Sequence, residues 1–307
     1  MDDTSLGRPP RGARRNRMFV ILGILIVFGS VIGGYLMHHG NLLVLNQPSE
    51  FVIIGGAAFG TIFIANPVHL VKSIFKGGLG VFKGSPYTSA YYMENLKMLN
   101  ELFVYARKHG MAKLEGDIDE PAKSPVFQKY PKFLKDHAAL AFACDTIRMS
   151  ISGGIAPHEL DQIMELDIEV QEKEGHEPVA ALTSVADSLP GLGIVAAVLG
   201  VVITMGALGG PPEEIGHKVA AALVGTFLGI LLCYGLVGPV SQNLAKQEEA
   251  KVMYLQFIRA GILAFVKGLA PALAVESARR MIPMHLRPAF SEVEKAIKGG
   301  AAAAKAA

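Results

Sequence analysis

The chain contains two long stretches without Asp, Glu, Lys or Arg, residues 188–212 and 219–245, separated by a short charged link. About 20 mostly apolar helical residues cross a bilayer core, so each stretch is long enough to span a membrane. Inside lipid every backbone N–H and C=O must find its partner within the protein, and a helix satisfies them within one segment. The first stretch follows Asp187 in the run ADSLPGLGIVAAVLGVV, marked by Pro and Gly. Those interruptions set the pair apart from plain apolar anchors.

Two further segments pass the same test: residues 18–37 offer 20 residues and residues 51–71 offer 21 without Asp, Glu, Lys or Arg. The composition agrees, since only 18% of the 307 residues are charged, against about a quarter in a soluble domain. The expected fold class is therefore an all-α integral membrane protein with four transmembrane helices, a large helical cytoplasmic loop and a cytoplasmic C-terminal helix. Arg11, Arg14, Arg15 and Arg17 precede the first span as in a signal peptide. The apolar run exceeds a signal core, however, and His38-His39-Gly40 lacks a small-residue cleavage site, so the span is retained.

Charge asymmetry orients the spans. Arginines lie before the first span and Lys72, Lys76 and Lys83 follow the second, whereas the loop 38–50 has neither Lys nor Arg. By the positive-inside rule both termini are cytoplasmic. The expected domains are a basic N-terminus at 1–17, spans one and two at 18–71, and a cytoplasmic domain at 72–185. Spans three and four follow at 186–245, then a cytoplasmic helical region at 246–298 and a low-complexity tail or linker at 299–307. Within the loop the apolar spacing predicts a helix over 91–109, with Met93, Leu96, Leu99, Leu102 and Phe103 on one stripe. Further helices are expected over 131–151 and 157–174, the second opening on Pro157 after Gly153-Gly154. Residues 247–267 continue as a helix, with Arg259 arguing against a fifth crossing.

No soluble-enzyme constellation is present. The nine histidines are scattered without an H-E-x-x-H pattern, and Cys144 and Cys233 form no close ligand pair. Neither an organic cofactor nor a metal is expected, and no nucleic acid is implied as a partner. Span three carries Pro190, Gly191, Gly193, Gly200, Thr204 and Gly206, and span four carries Gly225, Thr226, Gly229, Gly235, Gly238 and Pro239. Gly225 and Gly229 have the small-xxx-small spacing of closely packed membrane helices. Thr204 and Thr226 either return hydrogen bonds to their own helices or line a polar path. No charged residue lies at the centre of a span, although proton relays use an ionisable group there. If the chain conducts protons, a partner supplies the carboxylate.

The stretches IGGYLMHHG, QPSEFVIIGGA, ADSLPGLGIVAAVLGVV and VGTFLGILLCYGLVGP carry a family resemblance. They are joined by GMAKLEGDIDEP, KYPKFLKD, ISGG and PALAVESARR. Over about residues 18–290 the sequence resembles the MotA family, the A subunit of the bacterial flagellar motor stator. The family belongs to the MotA/TolQ/ExbB proton channel superfamily. The resemblance implies five A subunits around two MotB-like B subunits in the inner membrane. Each B subunit brings one membrane helix with a proton-accepting Asp and a peptidoglycan-binding domain. A FliG-like rotor switch protein is the other implied partner.

The site residues follow from the same resemblance. Pro190 and Pro239 match prolines that couple ion passage to movement, and Thr226 matches a pore-side threonine. Ala197 lies where sodium-using relatives carry threonine, and a methyl group offers no oxygen to Na⁺. Protons are thus the expected coupling ion, with sodium the alternative. Arg107 and Glu115 match charged rotor-contact positions, with Lys108 and Lys113 between them, and Asp167 stands where a relative has Glu. An ExbB- or TolQ-like envelope energy transducer is a competing reading, but those relatives usually have three spans. A non-conducting membrane scaffold is the other.

Overall fold

The computed structural model describes the backbone of residues 11–206 and 209–306, with side chains for 18–206 and 209–298. The arginines before the first span and the tail at 299–307 lie outside the described side chains. Among the described residues every regular element is helical. In chain order the principal helices are α1 (Arg11–Met37), α2 (Pro48–Ala65), α3 (Val68–Gly80), α4 (Ser89–His109) and α5 (His137–Ser152). They continue with α6 (Pro157–Met205), α7 (Pro212–Leu232), α8 (Gly238–Val266), α9 (Pro271–Met281) and α10 (Phe290–Ala306). The chain divides into two units, Met1–Ser85 with Glu174–Glu248 and Pro86–Lys173 with Glu249–Ala307.

Among the described residues four helical segments are long and apolar enough to cross a membrane: Met18–Met37, Leu42–Ala65, Pro157–Met205 and Pro212–Val266. The protein is a multi-pass helical membrane protein. On α1, Phe19, Leu22, Leu25 and Ile26 are exposed, as suits a helix surrounded by lipid or by a neighbouring chain. The expected run 51–71 is broken, because α2 stops at Ala65 and Asn66 is extended with φ −131° and ψ 143°. Pro67 causes the break: its ring disfavours the α conformation of the residue before it. The Asn66 amide then donates to the Ile62 carbonyl at 2.9 Å and satisfies the frayed end.

A second correction concerns α6. In place of a helix ending near 174 and a separate span, one helix of 49 residues runs through Pro178 and Pro190. Each internal proline removes one backbone donor, yet the helix formers around them carry it onward. Hydroxyls fold back along it: Thr183 donates to Val179 O at 2.9 Å and Ser184 to Ala180 O at 3.0 Å.

The second unit is built on ordinary hydrophobic burial. The α4 stripe places Tyr92, Leu96, Leu99, Leu102 and Phe103 in a core shared with Tyr254, Phe257, Ile258 and Ile262 of α8 and Ala274, Val275 and Ala278 of α9. Phe103 stacks on Phe265 with ring centroids 4.5 Å apart. Each fully buried Leu or Phe stabilises the fold by about 1.5–3 kcal/mol. The expected helix over 131–151 is instead a short turn at Pro131–Leu134 followed by α5, whose N-cap Asp136 accepts the Ala139 N–H at 3.3 Å. That aspartate prefers capping to a mid-helix position. Arg259 is tied to Asp161 at 2.6 Å and to Glu165 at 3.2 Å, which explains a half-buried arginine beside the apolar core face of α8.

Candidate functional site

The first unit brings α6 and α7 together almost backbone to backbone. A Cβ placed on Gly193 would lie 2.7 Å from the Gly225 carbonyl oxygen and 3.2 Å from Gly229 Cα. On Gly229 it would lie 2.5 Å from the Leu189 carbonyl oxygen, and on Gly200 2.6 Å from Ala222 Cβ. Progress along α6 from Leu189 to Gly200 thus corresponds to retreat along α7 from Gly229 to Ala222, so the helices run antiparallel. Lipid supplies little hydrophobic force between helices; small residues let dispersion and close backbone contacts act instead.

Three of the five ion-path candidates gather at this seam. A Gly193 Cβ would lie 3.3 Å from Thr226 Cα, and a Gly225 Cβ 3.2 Å from the Ala197 nitrogen. Pro190 directly follows Leu189, whose carbonyl packs on Gly229. Ala197, Thr226 and Pro190 are all half-buried. Thr204 is only 4% exposed and donates to its own Gly200 carbonyl at 2.8 Å, so its hydroxyl is spent within α6.

Pro239 stands apart from the seam. A π turn, Cys233–Val237, precedes it, and the Gly238 N–H donates to Cys233 O five residues back. Proline has no N–H for the carbonyl four residues earlier and its ring crowds that carbonyl; widening the turn relieves both. The helix therefore passes the proline instead of ending there. Pro239 also lines a cavity of about 570 Å³ with Phe19, Val20 and Gly23 of α1 and Gly235 of the π turn.

The three rotor-contact candidates lie in the second unit. Arg107 occupies the last turn of α4, and Gly110, at φ +85°, turns the chain into a 3₁₀ segment, Met111–Leu114. Glu115 then opens a short helix, Glu115–Asp119. Arg107, Glu115 and Asp167 are exposed. Among the described residues neither Arg107 nor Glu115 enters an ion pair, whereas Arg148 is held by Asp119 at 2.8 Å and by Asp145 at 2.6 Å. Asp167 accepts from the Gln171 amide at 3.1 Å. The unpaired charges flank the Gly110 turn, where a transient partner would meet little prior commitment.

Sequence reasoning missed Ala196 and Ala222, whose smallness completes the seam, and Glu50, which is only 5% exposed. The sequence signal for Glu50 was a carboxylate embedded in QPSEFVIIGGA, one position before an uncharged run. Among the described residues no cluster of three His, Cys, Asp or Glu side chains could hold a metal. Burial pushes the Cys144 thiol up to about 12, so it stays protonated and unreactive at neutral pH.

The Motility protein A N-terminal family matches residues 21–110, and the MotA/TolQ/ExbB proton channel family matches residues 134–256. Motility protein A of Escherichia coli (strain K12) is 40% identical over 281 residues, covering 92% of this chain and 95% of that one. Chemotaxis protein LafT of Vibrio parahaemolyticus is 38% identical over 274 residues, covering 89% of this chain and 96% of that one. The fold is similar to a chain in the structure of C. jejuni MotAB, with a TM-score of 0.71 at 22% identity, covering 87% of this chain and 96% of that chain. A chain of the flagellar MotAB stator complex from Bacillus subtilis gives a TM-score of 0.69 at 23% identity, covering 87% of this chain and 97% of that chain. These similarities define the class as the MotA/TolQ/ExbB superfamily of membrane proteins. Within it, the chain belongs to the MotA flagellar motor stator family.

Proposed function

We infer that this chain is the A subunit of a flagellar motor stator, which with a MotB-like partner couples ion flow across the inner membrane to torque on a rotor. The observation that carries this reading is the 40% identity to the Escherichia coli motility protein A over 281 residues. Members of this family are ion-driven mechanical components of a channel and not enzymes. The α6–α7 seam supports a role as one wall of the ion path, with the charge-bearing carboxylate supplied by the partner.

The proposed coupling ion is the proton, because Ala197 presents a methyl group at the seam where a hydroxyl would be needed to help coordinate Na⁺. An external proton reaches the partner's carboxylate and neutralises it, which removes the cost of holding a charge between helices. The partner helix then changes its contacts with α6 and α7, the A ring advances, and the proton leaves to the cytoplasm. One charge falling through about 100 mV supplies about 2.3 kcal/mol, so torque accumulates over repeated passages. A ring of five A subunits around two B subunits would present successive inequivalent contacts. Both termini face the cytoplasm in this arrangement, with residues 72–185 as the rotor-interaction domain.

The deciding experiment reconstitutes the chain with its candidate B subunit in proteoliposomes. Ion flux is expected only with the partner's membrane Asp intact, unaffected by replacing sodium with potassium. In cells, rotation is expected to collapse with a protonophore and to persist without sodium. Flux strictly dependent on sodium would reverse the ion assignment, and no flux from a well-assembled pair would count against the stator reading.

Arg107, Glu115 and Asp167 are proposed to meet the rotor. Arg107→Glu is expected to reduce swimming speed severalfold while membrane insertion and recovery of the B subunit stay unchanged. A charge reversal on the rotor surface should restore part of the speed. A full scan of rotor charge reversals with no compensation would remove the direct-contact account.

A further inference from the structure

Glu50 sits in the first turn of α2, yet it serves neither of the ordinary purposes of a carboxylate at a helix start. It does not cap the helix, because the Gln47 N–H it would receive is donated to Leu45 O at 3.1 Å. It is not solvated, being 5% exposed. Among the described residues its buried Oε2 has no hydrogen-bond partner, and no cation pairs with it. The oxygen rests against Gly225 of α7, where a Cβ would lie 2.5 Å from it, on the same glycine that packs on Ala196 and Ala197. Glycine there leaves the space that the carboxyl group fills.

Among the described residues no charge on the neighbouring elements is paired with it. The segment Leu42–Leu45 has no ionisable residue. On α7 the ionisable groups are Glu213, Glu214, His217 and Lys218, and Lys218 is taken by Glu214 at 2.8 Å. On α6 Asp187 is exposed. A buried ionised carboxylate without a partner is strongly disfavoured, whereas the neutral acid needs far less. We propose that Glu50 is a proton-binding site of this subunit, loaded from the outer face, neutral while α2 is packed on α7 and ionised when the two helices part. Loading is a plain proton transfer: hydronium gives its proton to the carboxylate oxygen, an O–H bond forms and water departs. Release reverses it, with water on the path accepting the proton.

The inference rests on the stator reading, since the outer face and the ion path come from it. Its test uses the full chain in complex with its B subunit, comparing wild type with Glu50→Gln, which keeps the shape of the side chain and cannot ionise. Infrared difference spectroscopy at neutral pH should show a protonated-carboxyl C=O absorption that shifts in heavy water and is lost in Glu50→Gln. In proteoliposomes the wild-type flux should vary with outer pH, and Glu50→Gln should flatten that dependence at equal B-subunit recovery. Loss of a carboxylate band in place of the carboxyl band, or a flux and pH profile unchanged by the substitution, overturns the proposal. If Glu50→Gln does not assemble, Gly225→Ala, which crowds Oε2, takes its place: the carboxyl absorption should weaken as the group is driven toward water, and an unaltered band overturns the proposal. A wild-type complex without flux would refute the stator reading, while the infrared comparison still decides the state of Glu50.

Discussion

Gly229→Val is expected to abolish rotation and to leave little of the chain in complex with its B subunit. A Cβ at this position would lie 2.5 Å from the Leu189 carbonyl oxygen and 3.0 Å from Gly193 Cα, and these are backbone atoms that no rotamer change can move. The two helices must separate by the width of the added side chain, and every contact from Leu189 to Gly200 loosens with them. Overpacking of a fitted core typically costs about 1–3 kcal/mol. Here the strain falls on close packing that holds the helices together without help from water. The control is Gly191→Ala on the facing helix α6, because a Cβ there meets nothing within 4 Å. It should assemble and turn as the wild type does. Co-purification with the B subunit and tethered-cell rotation provide the readout, and a rotating Gly229→Val motor would refute the tight seam.

Pro190→Ala separates assembly from coupling. Proline in a helix interior is about 3 kcal/mol less favourable than alanine, so the substitution restores a backbone donor and strengthens α6 locally. B-subunit recovery should stay at the wild-type level. Rotation should fall to near zero under load, because Pro190 adjoins the Leu189 carbonyl that packs on Gly229, at the point where α6 must yield if partner movements are to pass through the seam. Torque measured on a bead of known drag tests this. Normal torque from a normally assembled complex would make Pro190 a packing residue only.

Much of the fold could be read from the chain because lipid imposes a simple rule. A helix crossing it must be long and nearly free of charge, and residues 18–37, 188–205 and 219–232 state this openly. Helix continuity was harder to read. Pro67 ends a helix whereas Pro178 and Pro190 do not, and the difference lies in whether the residue before each proline can relax into an extended conformation or is held in a continuing helix. The glycines of the seam were legible as small residues, but which helix each one faces depends on the tertiary pairing. Glu50 was hidden for a related reason. A carboxylate one position before an apolar run looks interfacial until another helix covers it.

The wide turn at Cys233–Val237 has a geometric effect beyond accommodating Pro239. Gly229 and Ser241 are twelve positions apart, which in a regular α-helix would put them about 120° apart around the axis. A π turn absorbs one residue and brings that separation to about 20°. Ser241 consequently points toward the same helix as Gly229, and its hydroxyl reaches Val179 O at 3.1 Å and Thr183 Oγ1 at 2.7 Å. The bulge acts as a phase corrector, keeping one face of a long helical path aimed at α6 on both sides of a proline that would otherwise have rotated it away.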